Sequence, residues 1–167
     1  GSAMDLRYPA EHFNAVLQLW YPGARGGRSV ADILFGETSP SGKLPVTFYR
    51  DLGSLPPFTD YHMEGRTYRY MEEEALYPFG FGLTYGKVAV TDAKVGKISE
   101  ETDSLGLPDV SLKVTVQNQG SRDTDDVVQI YIKNTDSADA VRNPVLCAFK
   151  RVHVKAGESM DTEISIC

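Results

Sequence analysis

Val110-Ser111-Leu112-Lys113-Val114-Thr115-Val116-Gln117-Asn118-Gln119-Gly120 decides the fold. From Val110 to Val116 apolar and polar residues alternate, the period of a strand with one buried face and one wet face. Asn118-Gln119-Gly120 reads as a turn. The same pattern repeats outward. A strand begins over residues 87–95, Val127-Val128-Gln129-Ile130-Tyr131-Ile132 is another, and 145–154 and 162–166 follow, separated by the turn Ala156-Gly157-Glu158. Strands at this spacing predict an immunoglobulin-like or fibronectin III-like β-sandwich over residues 86–167. About five strands are visible where such a sandwich has roughly seven, so its end is expected to be cut off.

Upstream the period changes. Ala15-Val16-Leu17-Gln18-Leu19-Trp20-Tyr21 is a short apolar run, read as a buried strand, and Pro22-Gly23-Ala24-Arg25-Gly26-Gly27 breaks it. Val30, Ala31, Ile33, Leu34 and Phe35 then recur on one helical face after Ser29, with Gly36 as the stop. A lone strand–helix unit cannot cover both faces of its strand, so it implies neighbours. Pro40-Ser41-Gly42 is a turn and Leu44-Pro45-Val46-Thr47-Phe48-Tyr49 a short extended segment. The aromatic stretch that follows, Tyr61, Tyr68, Tyr70, Tyr77, Phe79, Phe81 and Tyr85, predicts loops and short strands. The fold class is therefore mainly β with a partial α/β layer before the sandwich. Residues 1–4 (Gly-Ser-Ala-Met) read as a cloning scar, residues 5–85 as the end of an α/β-sandwich domain with its connecting segment, and 86–167 as the β-sandwich.

The chain has 167 residues, 41% of them hydrophobic and 24% charged, which suits a globular core. Its net charge is −6 and its Lys and Arg are not clustered, which argues against nucleic acid and against an anionic membrane surface. No apolar run is long enough to span a bilayer. Cys147 lies in an apolar run and reads as a buried inert thiol, Cys167 as a free one. Two cysteines leave the redox compartment, cytoplasmic or secreted, open.

Leu19-Trp20-Tyr21-Pro22-Gly23, Gly26-Gly27, Ala31-Asp32-Ile33-Leu34-Phe35-Gly36 and Pro40-Ser41-Gly42-Lys43-Leu44-Pro45-Val46-Thr47-Phe48 together resemble the late part of the second domain of family 3 glycoside hydrolases. Gly65-Arg66-Thr67-Tyr68-Arg69-Tyr70 and the run from Leu76 through Tyr77-Pro78-Phe79-Gly80-Phe81-Gly82-Leu83-Thr84-Tyr85 resemble the exit from that domain. Val114-Thr115-Val116-Gln117-Asn118-Gln119-Gly120, Val127-Val128-Gln129-Ile130-Tyr131, Pro144, Phe149-Lys150-Arg151-Val152 and Lys155-Ala156-Gly157-Glu158-Ser159 resemble the family's fibronectin type III-like domain. The resemblance implies a parent of β-glucosidase or β-xylosidase type, with retaining hydrolysis of terminal β-linked sugars by a carboxylate nucleophile and an acid/base group. It places the nucleophilic Asp in a barrel domain without counterpart here. The acid/base Glu belongs in the part of the second domain that precedes the Trp-Tyr-Pro-Gly segment. No catalytic, cofactor-binding or metal residue is carried over, and no cofactor is implied. The expected partners are the barrel and the rest of the α/β domain, with an oligosaccharide or aryl glycoside reached through the parent. Exposed strand edges add a hazard of self-association.

Several constellations invite chemistry of their own. Gly23-Ala24-Arg25-Gly26-Gly27-Arg28-Ser29 is similar to a phosphate loop but is one residue short, with Arg28 in place of the lysine, so a tight turn is the expectation. Asp60 and Glu64 form the most plausible carboxylate pair, set among aromatics that suit sugar rings, against the reading of solvated or Arg-paired carboxylates. Glu72-Glu73-Glu74 reads as a solvated acidic turn, and Arg66 and Arg69 as partners either of that turn or of the missing domain. Asp123, Asp125 and Asp126 suggest a Ca²⁺ loop less well than a polar loop between strands. His12, His62 and His153 lack metal-ligand spacing. The chain alone is thus expected to be a non-catalytic scaffold. The competing readings are a free-standing carbohydrate-binding or interaction module and an autonomous enzyme built on Asp60 and Glu64.

Overall fold

The computed structural model describes residues 2–53, 55–102 and 108–166. Gly1 of the Gly-Ser-Ala-Met segment and Cys167 lie outside them. The chain divides into two compact units, one of Gly1–Phe35, Lys43–Gly82 and Ile132–Val145, the other of Gly36–Gly42, Leu83–Tyr131 and Leu146–Cys167.

The first unit is mostly irregular, with helices α1 (Arg7–His12), α2 (Gly26–Leu34) and α3 (Thr67–Tyr70). The run from Ala15 to Tyr21 is not a strand. Trp20 sits at φ 52, a left-handed conformation that breaks an extended chain, and no strand among the described residues pairs with this segment. Its aliphatic side chains Val16, Leu17 and Leu19 are exposed rather than buried. Helix α2 begins at Gly26, ahead of the expected start after Ser29, because Gly23 at φ 70 turns the chain so that the Gly26 amide reaches the Gly23 carbonyl at 3.1 Å. Gly36 at φ 77 ends it, as the sequence predicts. The Leu44–Tyr49 segment makes an antiparallel bridge, Phe48 with Tyr77, closed by amide–carbonyl bonds of 2.9 and 3.1 Å. Phe48 is fully buried, with Trp20 tilted against it at 6.3 Å between ring centroids.

The second unit is the predicted sandwich. Strands β1 (Val88–Thr102), β2 (Pro108–Asn118) and β5 (Ser159–Ile166) form one antiparallel sheet in the order β1-β2-β5, while β3 (Thr124–Ile132) and β4 (Val145–Val154) form a second. Alternation does what it predicted: Val114 and Val116 of β2 point inward between wet neighbours. They meet Val128 of β3, Val152 and Val154 of β4 and Ile164 of β5 in one buried cluster, bordered by Val88, Leu112, Ile130, Ala148 and Met160. Cys147 is half-buried rather than buried, its Sγ 3.3 Å from the Ile130 carbonyl oxygen.

The turn after β2 is held by Asn118, which is fully buried. Its Nδ2 donates to the carbonyls of Arg122 at 2.8 Å and Val154 at 3.1 Å, and its Oδ1 accepts from the amides of Lys87 at 3.2 Å and Gly120 at 2.9 Å. Nearby, Ser39, Thr84 and Thr124 share hydroxyl hydrogen bonds. Gly86 admits the Thr124 side chain so closely that a Cβ there would stand 2.4 Å from Thr124 Cγ2. Asn118→Ala removes all four bonds and leaves two amides and two carbonyls at the end of the sandwich without that partner, so it should cost about 3 kcal/mol in urea unfolding at neutral pH. A cost below about 1 kcal/mol would show that water replaces the side chain freely.

Candidate functional site

The candidate carboxylates lie on a loop of the first unit whose shape is set by Arg66. Its Nη2 donates to the carbonyls of Pro56, Pro57 and Asp60 at 3.2, 2.8 and 2.9 Å. The Asp60 amide returns to the Pro57 carbonyl at 2.9 Å and the Arg66 amide to that of Met63 at 3.0 Å. Gly65 at φ 71 and Thr67 at φ 54 bracket the arginine, and the Thr67 amide is caught by the Tyr49 hydroxyl at 2.8 Å. A β-branched residue in this conformation is strained, and that bond helps to hold it. Arg66 is therefore bound to backbone carbonyls and not to the acidic turn. Glu72 of that turn pairs instead with Arg142 at 2.6 Å and Glu74 with Arg50 at 3.5 Å, all of them exposed. Arg69 stands over the Tyr68 ring at 6.0 Å.

Asp60 points back into its own loop. Its Oδ1 accepts both the amide and the ring Nδ1–H of His62, each at 2.9 Å. The His62 amide, then its ring, with the nearby Arg66 charge, hold the Asp60 carboxyl below the ordinary carboxylate range. Glu64 is exposed on the same loop. A general acid for glycoside hydrolysis needs a carboxyl raised above its ordinary value, and Asp60 moves the other way.

The remaining candidates are dispersed. In the segment similar to a phosphate loop, the Gly26, Arg28 and Ser29 amides are taken by the carbonyls of Gly23 and Arg25, and Gly26 packs so tightly on Pro22 that a Cβ would lie 2.6 Å from it. That is a tight turn. Asp123 accepts from the Ala156 amide at 2.9 Å, and Asp126 from the Val127 amide at 2.8 Å. Asp125 of β3 bonds Arg151 and, at 2.7 Å, His153 Nδ1, both on β4. The three carboxylates thus serve different partners. Among the described residues no group of three His, Cys, Asp or Glu side chains is arranged to hold a metal ion, and no helix is long and apolar enough to cross a membrane. His12 stacks on Tyr8 at 4.1 Å, with its Nδ1 2.9 Å from the Tyr8 carbonyl. The Asp125–His153 pair and the carbonyl-binding role of Arg66 escaped the sequence reading, since both join residues without a motif spacing.

Residues 1–85 match the family model described as the Glycosyl hydrolase family 3 C-terminal domain. The chain belongs to glycosyl hydrolase family 3. It is 41% identical to a xylan 1,4-beta-xylosidase of Xylanibacter ruminicola over 99% of its length and 18% of that protein's, and 33% identical to a periplasmic beta-glucosidase of Salmonella typhimurium over 95% and 22%. The solved beta-glucosidase 3B of Thermotoga neapolitana superposes with a TM-score of 0.83 at 28% identity, covering 99% of this chain and 24% of that one. The family 3 chain thus spans roughly a fifth of the length of the curated relatives it matches.

Asp125 of the second unit is tied to two side chains of β4. Burial favours its neutral form, but the His153 and Arg151 bonds outweigh burial and hold its carboxyl below the ordinary range. A depressed folded value means a stabilising contribution present above the unfolded pKa and lost as pH falls through the folded one. Asp125→Asn should cost about 1 kcal/mol in urea unfolding at pH 7, and the gap from the unsubstituted chain should close as pH falls below the ordinary carboxylate range. A gap independent of pH would show that the ion pair contributes nothing.

Proposed function

We propose that this chain is a non-catalytic C-terminal portion of a retaining β-glycosidase, of β-glucosidase or β-xylosidase type, that hydrolyses terminal β-linked sugars. Its work there is scaffolding and packing between domains. The observation that carries this reading is the apolar surface of the first unit. Phe58 is 92% exposed, Tyr61 89%, Phe35 83% and Tyr21 82%, with Leu34 and Leu52 also bare. Large aromatic and aliphatic side chains left in water in such number mark surfaces made to be covered by protein. The relatives have the mass to cover them, since about four-fifths of their length lies outside the match. The carboxylates support the same reading. Asp60 is spent on His62, Asp123 on a turn amide and Asp125 on β4, which leaves them in structural bonds. The barrel and the rest of the α/β domain are the partners, and the glycoside is met through them.

Phe58 and Tyr61 also suit a second reading, a carbohydrate-binding module, because bare rings on a pinned loop can stack on sugar faces. One preparation separates the readings. The purified chain should release no nitrophenol above background from aryl β-glucosides, β-xylosides or N-acetyl-β-glucosaminides, and titration calorimetry should detect no xylo- or cello-oligosaccharide binding at millimolar ligand. Release that survives repurification and is abolished by Glu64→Gln would mean an autonomous active site on the loop. Binding lost in Tyr61→Ala would establish the module.

A further inference from the structure

The connection from β3 to β4, residues 132–145, belongs to the first unit, although the strands it joins form the second sheet of the sandwich. Its middle is exposed and shaped by its own polar groups, with Asn134 Oδ1 accepting from the amides of Asp136 at 2.9 Å and Ser137 at 3.2 Å. Its end is tied to α3. Half-buried Asn143 donates through Nδ2 to the carbonyls of Tyr68 at 2.9 Å and Met71 at 2.8 Å, and through its main-chain amide to the carbonyl of Arg69 at 3.0 Å. Beside it Arg142 pairs with Glu72 at 2.6 Å. The three carbonyls lie at the end of α3, where a helix has no amides of its own left to bond them. α3 is a single turn of four residues, too short to persist alone in water.

We propose that residues 132–145 are a strap: Asn143 caps α3 from outside the helix and, through α3, holds in place the aromatic loop that Arg66 pins. The link is the start of the helix. α3 begins at Thr67, directly after Arg66, whose Nη2 gathers the carbonyls of Pro56, Pro57 and Asp60. Thr67 is held at φ 54, and such strain persists only where the surroundings over-determine it. The Tyr49 hydroxyl fixes the Thr67 amide at one end of the turn, and Asn143 fixes the carbonyls at the other. With the cap lost, α3 opens, Thr67 relaxes to negative φ, and the main chain of Arg66 turns away from the three carbonyls it serves. Phe58 and Tyr61 then lose their fixed frame. Tyr68 stacks on Phe79 at 4.0 Å, but a ring contact takes none of the carbonyls and does not replace the cap. The residue type is specific, because an aspartate of the same shape has no proton for the Tyr68 and Met71 carbonyls. Asn143 is thus a positioning residue. The inference goes beyond the scaffold reading and does not depend on it, since the strap acts within this chain whatever meets the loop.

Two measurements on the whole chain test the strap. In the unsubstituted chain, native-state hydrogen exchange should give the amides of Asp60, Arg66, Met71 and Asn143 one shared opening free energy and one shared urea dependence, the signature of a single cooperative element. In limited chymotrypsin digestion with the cut sites mapped by mass, Asn143→Ala and Asn143→Asp should each speed cleavage after Phe58 and Tyr61 at least about tenfold, while cleavage after Phe149, exposed on β4, keeps its rate. Separate openings for Asp60 and Arg66 on one side and Met71 and Asn143 on the other overturn the proposal, and that result stands even where a variant does not fold. Unchanged cleavage after Phe58 and Tyr61 overturns it too. So does an equal acceleration after Phe149, which would mean that the asparagine stabilises the whole chain and holds no particular loop.

Discussion

The sandwich depends on one buried amide. Asn118 ends β2 at the point where the amide of Lys87 enters, the turn to β3 leaves and β4 passes, and its side chain bonds a backbone group of each. A carboxamide supplies two donors and an acceptor of two bonds in one plane, matching two carbonyls and two amides. No apolar residue can do this, and an aspartate would face two carbonyls with no proton to give. The main chain of Asn118 adds a fifth bond, its amide meeting the Glu158 carbonyl at 2.9 Å beside the turn into β5. Close approach follows from this. Gly120 lies so near the Lys87 amide that a Cβ would stand 2.9 Å from it, and Gly86 is equally crowded by Thr124. Asn118 and Gly120, which read as turn punctuation, stand with Gly86 where four segments converge.

The first unit solves the same problem with a cation. The Pro56–Asp60 stretch has too few amides of its own to satisfy its carbonyls, because two of its residues are prolines. Arg66 answers with a guanidinium aimed at three of those carbonyls. Such bonds involve a charged donor and are stronger than neutral ones, which offsets strain at Thr67 next to it. The consequence reaches the candidate chemistry. Asp60 is turned toward His62, and the loop presents Phe58 and Tyr61 outward in its place.

The sandwich was legible because its signal is local. Alternation in Val110–Val116 assigns faces residue by residue, and a buried strand position is occupied by valine or isoleucine at nearly every turn of the pattern. The family was legible for the same reason, as ordered short segments. The strand expected at Ala15–Tyr21 failed because an apolar run states a preference for burial, while a strand also requires a hydrogen-bonded neighbour and a backbone free of left-handed residues. Trp20 denies the second condition, and nothing in its identity announces it. The start of α2 was misplaced because Gly26 and Gly27 read as breakers, whereas Gly26 is required there by its contact with Pro22. The pairings of Arg66 with carbonyls and of Asp125 with His153 were not legible at all, since each joins positions whose proximity is a product of the fold.

What keeps so thin a second sheet folded is its face and not its ladder. A two-stranded ribbon has little stability in water by itself. Val128, Val152 and Val154 nevertheless bury almost completely, because Val114, Val116 and Ile164 of the three-stranded sheet fill the opposite side. Each such side chain contributes about 1.5–3 kcal/mol on burial, more than a net backbone hydrogen bond of about 1 kcal/mol. The sheets therefore hold each other through six aliphatic side chains, and the ribbon's hydrogen bonds follow from that packing. The buried polar side chains of the sandwich among the described residues are Asn118 and Thr124 at its end and Thr162 midway along β5, opposite Val114. A polar group midway along β2 or β4 would break the contact on which the second sheet rests, whereas at the end of the strands turns bring the backbone partners that satisfy it.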